Sequence, residues 1–173
     1  EKSLKSNLFK KIVVVTNNLK HLKKKNYHRK IKIIKGGKER SDSSLIALKY
    51  LKKFKPVNVL IHDGARPDFT ITLVKRLINK LRNNKAVIPF IYSKDSIKYK
   101  VKDEILNLNR GNVYLTQTPQ AFKYKDLYKL SIKQKNKVSD EATMFINNNR
   151  NVKFLLGEYN NDKITFKDDI KTS

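Results

Sequence analysis

Asp63, Gly64 and Arg66 stand together in His62-Asp63-Gly64-Ala65-Arg66-Pro67, directly after the apolar run Val57–Ile61. A carboxylate on such a loop can hold Mg²⁺, whose octahedral shell takes one or two protein oxygens and fills up with phosphates and water. Arg66 offers a planar fork for a phosphate or a neighbouring carboxylate. The same residues also make a self-contained loop, with Asp63 capping the next turn and Arg66 paired to it. Gly36-Gly37-Lys38-Glu39-Arg40-Ser41-Asp42-Ser43 follows another apolar run and leads into a helical pattern. Backbone N–H groups at a helix start, approached closely past glycine, suit an anion or a base edge. Thr116–Gln120 and Asn161–Thr165 read equally well as turns or as ligand contacts.

The elements that must position these groups alternate regularly. Lys11–Val15, Ile31–Lys35, Pro56–His62 and Ala86–Ile91 are short β-branched runs between polar stretches, and so predict strands. Between them, Ser41–Phe54 carries Leu45, Leu48, Leu51 and Phe54 in three-residue steps, with Ser41, Asp42 and Ser43 as cap candidates. From Asp68, Leu73, Val74, Leu77, Ile78 and Leu81 form an amphipathic stripe. Strands and helices in alternation predict an α/β fold around a mainly parallel sheet covered on both faces. In such sheets, ligands gather at the carboxyl ends of the strands, where both loops above would lie. Ile97–Lys102 and Leu106–Asn109 alternate apolar and polar residues across a charged turn, predicting a hairpin arm within about 92–117. A lone hairpin is marginal in water, so the arm is a candidate dimerisation element. Val113–Thr118 predicts a strand, Lys123–Lys133 a helix, Ser139-Asp140-Glu141 a helix start, and Val152–Leu156 a last central strand; the tail after Thr165 is helix-compatible.

Composition limits the alternatives. The chain has 173 residues, and Leu, Ile, Val and Phe make up 53 of them, enough for one folded domain over 1–173. The absence of cysteine excludes disulfides, thiolate metal sites and a cysteine nucleophile. No apolar run approaches the ~20 residues of a membrane-spanning helix, so no membrane partner is expected. The net charge of +25 points first to nucleic acid. However, 33 of the 40 basic residues are Lys and 18 residues are Asn, the pattern of AT-rich codon usage. Clusters such as Lys23-Lys24-Lys25 are expected as solvated faces, and His21 and His28 as surface residues. The positive field still favours polyanionic small molecules kinetically, and no nucleic-acid partner is expected.

Taken in order, GGKERSDSS, VLIHDGARP, KDSIK, NRGNVYLTQTPQAF, SDEATMF and NDKIT resemble the 2-C-methyl-D-erythritol 4-phosphate cytidylyltransferases of non-mevalonate isoprenoid synthesis, from about Lys11 to Ser173. The resemblance implies a Rossmann-like nucleotidyltransferase fold, a homodimer joined by its β-arms, and Mg²⁺-dependent transfer of a cytidylyl group from CTP to methylerythritol phosphate. It places Asp63 and Arg66 at the triphosphate and the metal, and Gly36, Gly37, Lys38, Arg40 and Ser43 in the nucleotide-binding stretch. Thr118, Ser139 and Thr165 would line the substrate site. Lys163 would stabilise charge at the α-phosphorus, and Ser96 and Arg110 on the arm would reach into the other subunit's site. Close relatives use pentitol phosphates such as ribitol 5-phosphate. The implied compartment is a bacterial cytoplasm or the relict plastid of an AT-rich eukaryote.

Three departures stand out. The family opens with a strand and a Gly-rich loop, then an Arg and a Pro-Lys pair, and none of these is present. The expectation is a chain that lacks a central strand, exposes the apolar edges of its neighbours and is poorly soluble alone. Serine replaces the usual Thr at 96 and 139. Asp162 replaces an apolar residue before Lys163, where it could pair with that lysine or face solvent.

Overall fold

The computed structural model describes residues 2–20, 22, 27–134, 138, 140–148 and 150–170. A short helix α1 (Lys2–Lys5) precedes strands β1 (Ile12–Thr16) and β2 (Ile31–Lys35), helix α2 (Arg40–Leu51), strand β3 (Asn58–Ile61), helix α3 (Ile71–Lys80) and strand β4 (Ala86–Tyr92). Strands β5 (Ile97–Val101) and β6 (Glu104–Leu108) form the arm. They are followed by β7 (Tyr114–Thr116), β8 (Gln120–Lys123), α4 (Tyr124–Lys133), α5 (Glu141–Ile146) and β9 (Val152–Leu156).

Helix starts are set by side chains that satisfy free N–H groups. Thr70 accepts from Leu73 N at 3.0 Å to open α3, and its own N–H and hydroxyl donate to Glu158, which fastens the helix to the end of β9. For α2 the cap is Glu39, paired reciprocally with Asp42 in a capping box, rather than the Ser41–Ser43 group.

The main sheet runs β3-β8-β4, with β4 as its hub. β4 pairs antiparallel with β8 over Ala86–Val87 and with β7 over Phe90–Tyr92, and parallel with β9 over Ala86–Phe90. The fold is the expected mixed α/β class, with two differences. β8 is a strand that runs opposite to β3 and β4 and separates them, where the sequence pattern predicts only a helix start. β9 pairs with β4 alone among the described strands and lies at an edge, not centrally. After Thr165 the tail forms only a 3-10 turn, Lys167–Asp169.

Alternate strand residues point to opposite faces, and this splits the core in two. Ala86, Ile88 and Phe122 face α2, α4 and α5 with Leu48, Leu127 and Phe145, while Val87 and Ala121 face α3 with Leu73, Leu77 and Leu81. The strand between Lys85 and Ile91 is therefore buried on both faces, as its unbroken apolar run requires.

β1 and β2 form a separate parallel pair. Between β1 and β3 lies a cavity of about 1260 Å³, walled by the successive residues Ile12–Val15 and Asn58–Ile61. Because neighbouring residues point to opposite faces, a wall made of every residue is a strand edge, so the cavity is an in-plane slot. Lys11 sits 5.7 Å over the Phe54 ring at one end, and Arg40, which opens α2 after β2, meets Asp63 beyond the end of β3 at the other. β1 and β3 thus run the same way, with their carboxyl ends together.

The arm pairs Ile97 with Leu108 through Val101 with Glu104, and β6 is exposed along its whole length. Leu77 is fully buried beneath the sheet, whereas Ile132 on α4 is 53% exposed. Leu77→Ala should cost about 2–5 kcal/mol and Ile132→Ala less than about 0.5 kcal/mol. Urea unfolding followed by circular dichroism reads both.

Candidate active site

Asp63 leaves the carboxyl end of β3 with its backbone N–H donated to Thr118 Oγ1 at 3.0 Å. Its carboxylate lies between two cations, Arg40 Nε at 3.4 Å and Lys163 Nζ at 4.0 Å. Arg40 is the first residue of α2, and its Nη2 donates to Glu141 Oε2 at 2.7 Å. Burial opposes the guanidinium charge, but the carboxylates of Glu141 and then Asp63 outweigh it and raise the Arg40 pKa. The Lys163 contact is different in kind. It is long and half-exposed, and such pairs contribute about 0–1 kcal/mol. Lys163 is therefore placed by its loop rather than by Asp63, and its ammonium can turn to a phosphate.

That loop is tied down by main-chain groups. Ile164 N donates to Ala65 O at 2.8 Å, Arg66 Nη1 to Asn161 O at 2.7 Å, and Asn161 Nδ2 to Thr118 O at 2.8 Å. Gln117 Nε2 adds a bond to Glu158 O. The HDGARP, TPQ and NNDKIT segments are thus one unit, and Asp63 and Lys163 face the same space. Arg66 turns to Asn161 O, so the alternative in which it closes on the Asp63 carboxylate does not occur. Burial lowers the Arg66 pKa, opposed by the charges of Asp63 and Asp162. Asp162 itself is exposed.

His62 braces the same turn. Its Nε2 lies 3.0 Å from Arg66 O and its Nδ1 3.2 Å from Thr118 Oγ1. A carbonyl can only accept, so Nε2 carries the proton and Nδ1 accepts from the threonine hydroxyl, which in turn accepts from Asp63 N–H. The ring also packs edge-on against Phe69 at 4.5 Å. Burial pushes the imidazole below its ordinary 6.5, against the smaller pull of Arg66 O and Asp63.

The glycine loop lies beside this cluster. Gly37 N donates to Ser43 Oγ at 3.1 Å and Asn17 Nδ2 to Gly37 O at 3.2 Å. A Cβ on Gly37 would collide with the Asp42 side chain, and one on Gly36 would come within 2.9 Å of Ser43 Oγ. Lys38 stands exposed above.

Other expected residues are elsewhere. Arg110 Nη1 donates to Lys94 O at 2.6 Å and Ser96 Oγ accepts from Lys98 Nζ at 3.1 Å, both at the foot of the arm. Among the described residues no hydrogen bond joins them to the Asp63 cluster. Thr165 donates its hydroxyl to Lys163 O at 3.3 Å and is exposed. Ser139, His21 and Lys23–Lys25 lie outside the described residues. Asp140, beside Ser139, caps α5 by accepting from Thr143 N. The packing and hydrogen bonding of His62 behind Asp63 follow the sequence reading, whereas the roles of Glu141 and Asn161 were not foreseen; only the carboxylate in SDEATMF signalled the first, and the pattern assigns it to the helix dipole.

No group of three or more metal-binding side chains exists among the described residues. Asp63 alone is a hard oxygen donor, which fits an ion that draws its other ligands from phosphates and water. The His62 brace yields a pH dependence. An imidazole whose folded pKa lies below 6.5 contributes stability that is present above 6.5 and lost as pH falls. The melting temperature of the wild type should therefore drop between pH 7.5 and 5.5 by more than that of His62→Gln, as differential scanning fluorimetry would show.

The family model for 2-C-methyl-D-erythritol 4-phosphate cytidylyltransferase (IspD) matches residues 2–173. The chain is 44% identical over 166 residues to a bifunctional IspD/IspF enzyme of Pelagibacter ubique, covering 95% of this chain and 45% of that protein. It is 38% identical over 170 residues to a cytidylyltransferase of Thermosipho melanesiensis, covering 92% and 74%. A crystal structure of 4-diphosphocytidyl-2C-methyl-D-erythritol synthase from Anaerococcus prevotii superposes with a TM-score of 0.88 at 34% identity, covering 97% of this chain and 78% of that one. The chain thus spans less than half of the first of these relatives and about three quarters of the others. With the loops, the sheet and the sequence in agreement, the chain belongs to the 2-C-methyl-D-erythritol 4-phosphate cytidylyltransferase family.

Proposed function

We propose that the chain transfers a cytidylyl group from CTP to 2-C-methyl-D-erythritol 4-phosphate, giving CDP-methylerythritol and pyrophosphate. The observation that supports this most is the shared unit of three loops that brings Asp63 and Lys163 together at one sheet margin, with Arg40 of α2 against Asp63. A phosphate oxygen of the acceptor attacks the α-phosphorus of CTP, a new P–O bond forms, and the bond to the β-phosphate oxygen breaks to release pyrophosphate. The nucleophile needs no general base, since the second pKa of a phosphate monoester is about 6. Positioning and charge stabilisation then carry the reaction.

Gly36, Gly37 and Ser43 form the close-packed stretch that receives the nucleotide, with Lys38 and Arg40 as its cations. Asp63 would hold Mg²⁺, which when bound supplies charge neutralisation between phosphate oxygens. Lys163 turns from its weak contact with Asp63 to the crowded phosphorus. Thr165 lies on the acceptor side, with Thr118 behind it and the Thr118 hydroxyl held between Asp63 N–H and His62 Nδ1. Asp63→Ala and Lys163→Ala should each lower kcat by about 10²–10³, the scale of one lost electrostatic stabiliser. Pyrophosphate release from CTP measures this. Release with ribitol 5-phosphate but none with methylerythritol phosphate would move the substrate to the pentitol class.

The arm is the dimer contact in this reading, and it carries Ser96 and Arg110 to the acceptor phosphate of the other subunit. Tyr99, Ile105 and Leu106 are exposed on it at 54, 69 and 46%, a large apolar surface for so thin an element. Ile105→Asp should leave a monomer in sedimentation velocity. Arg110→Ala should raise KM for methylerythritol phosphate with CTP affinity unchanged.

The slot between β1 and β3 takes one extended apolar strand, the one that opens the family's fold together with its Gly-rich loop. Two facing edges that pair with no strand among the described residues support this. A chain that includes that strand should be more soluble and more active than these 173 residues alone. The named relatives are bacterial, which favours a bacterial cytoplasm over a plastid; among the described residues no helix is long and apolar enough to cross a membrane.

A further inference from the structure

The three edges of the Arg40 guanidinium have different fates. Nη2 donates to Glu141 Oε2 at 2.7 Å, Nε donates to Asp63 Oδ1 at the longer distance of 3.4 Å, and Nη1 is buried with no hydrogen-bond partner among the described residues. Glu141 is 1% exposed and lies 101 residues further along the chain, in the first turn of α5. That turn is fixed from outside: Asp140 accepts from Thr143 N and from Gln120 Nε2, so α5 is joined to β8 at the point where Glu141 projects.

An ionised carboxylate buried to this degree is a liability unless it is paired, and replacing such pairs with apolar groups is often stabilising. Fold stability is therefore a poor reason for its presence. Its effect on geometry is a better one. Arginine and carboxylate prefer a two-bond fork, and Asp63 is the other carboxylate within reach of Arg40. Without Glu141, the guanidinium can rotate to fork onto Asp63. With Nη2 free to join Nε, both Asp63 oxygens would then be occupied.

We propose that Glu141 is a positioning residue that limits Arg40 to a single long bond with Asp63, so that Asp63 keeps its second oxygen for a divalent cation while Arg40 Nη1 faces an oxygen of the nucleotide. This rests on the functional reading above, in which Asp63 and Arg40 share the CTP site. Glu141 touches neither cation nor nucleotide; it acts only through Arg40.

The test uses the longest active form of the chain, with CTP as ligand and Mn²⁺ as the ion probe. Glu141→Gln keeps the volume and removes the charge. It should weaken CTP binding in calorimetry about tenfold, the scale of one charge-assisted hydrogen bond, and weaken Mn²⁺ uptake by electron paramagnetic resonance in parallel. KM for CTP should rise more than kcat falls. Glu141→Asp, which keeps the charge, should recover part of the loss. In an Arg40→Ala background, Glu141→Gln should add less than about a twofold further effect, because its route of action is gone. If Glu141→Gln melts far below wild type, Arg40→Lys, which keeps the charge but loses the fork with Glu141 intact, should reproduce the same binding loss. Wild-type affinity in Glu141→Gln, or an undiminished effect in the Arg40→Ala background, overturns the inference and leaves the cytidylyltransferase reading standing. A wild-type chain that takes up no CTP overturns that reading and this inference with it.

Discussion

The site depends on main-chain carbonyls that join three loops distant in sequence. Arg66 reaches Asn161 O, Asn161 reaches Thr118 O, and Ile164 N closes on Ala65 O. A buried carbonyl must find a donor, so these bonds fix the loops more firmly than the charges they display. The cations can then be weakly paired. Lys163 is 4.0 Å from Asp63 and half-exposed, so it remains available to a ligand. A site of this kind binds polyanions with side chains that the fold has left incompletely neutralised.

The electrostatics act on two scales. The net charge of +25 spreads over the whole surface and raises the encounter rate with any polyanion. Selectivity must come from the local arrangement. Burial lowers the Arg66 pKa against the pull of Asp63 and Asp162, while the carboxylates of Glu141 and Asp63 raise that of Arg40 against its own burial. His62 is kept neutral behind them and serves as a strut between Arg66 O and the Thr118 hydroxyl. Its contribution is geometric, in keeping with a proposed reaction that needs no proton shuttle.

Much of this was legible in the residue pattern because it follows from local rules. The period-2 and period-3.6 signals placed β1 to β4, α2, α3 and the arm within a few residues, and strand-end logic brought HDGARP beside the Gly-Gly turn. The failures are equally physical. β8 is four residues long and follows Pro119, so it carries too little alternation to be told from the start of α4. β9 resembles a central strand because its residues are apolar, but edge or centre is decided by partners the pattern does not contain. Glu141 was invisible as a buried ion because its partner Arg40 lies 101 residues away. Asn161 stands in an NND run that reads equally well as a turn or a ligand contact, yet it is wholly buried and bridges two loops.

A crystal structure of the chain with CTP and Mg²⁺ tests the central claim most directly. The account requires the ion on Asp63, the α-phosphate within hydrogen-bond distance of Lys163 Nζ, and the three-loop bonds unchanged. A nucleotide bound away from the β3 margin, or Lys163 pointing to solvent with the triphosphate in place, would contradict it.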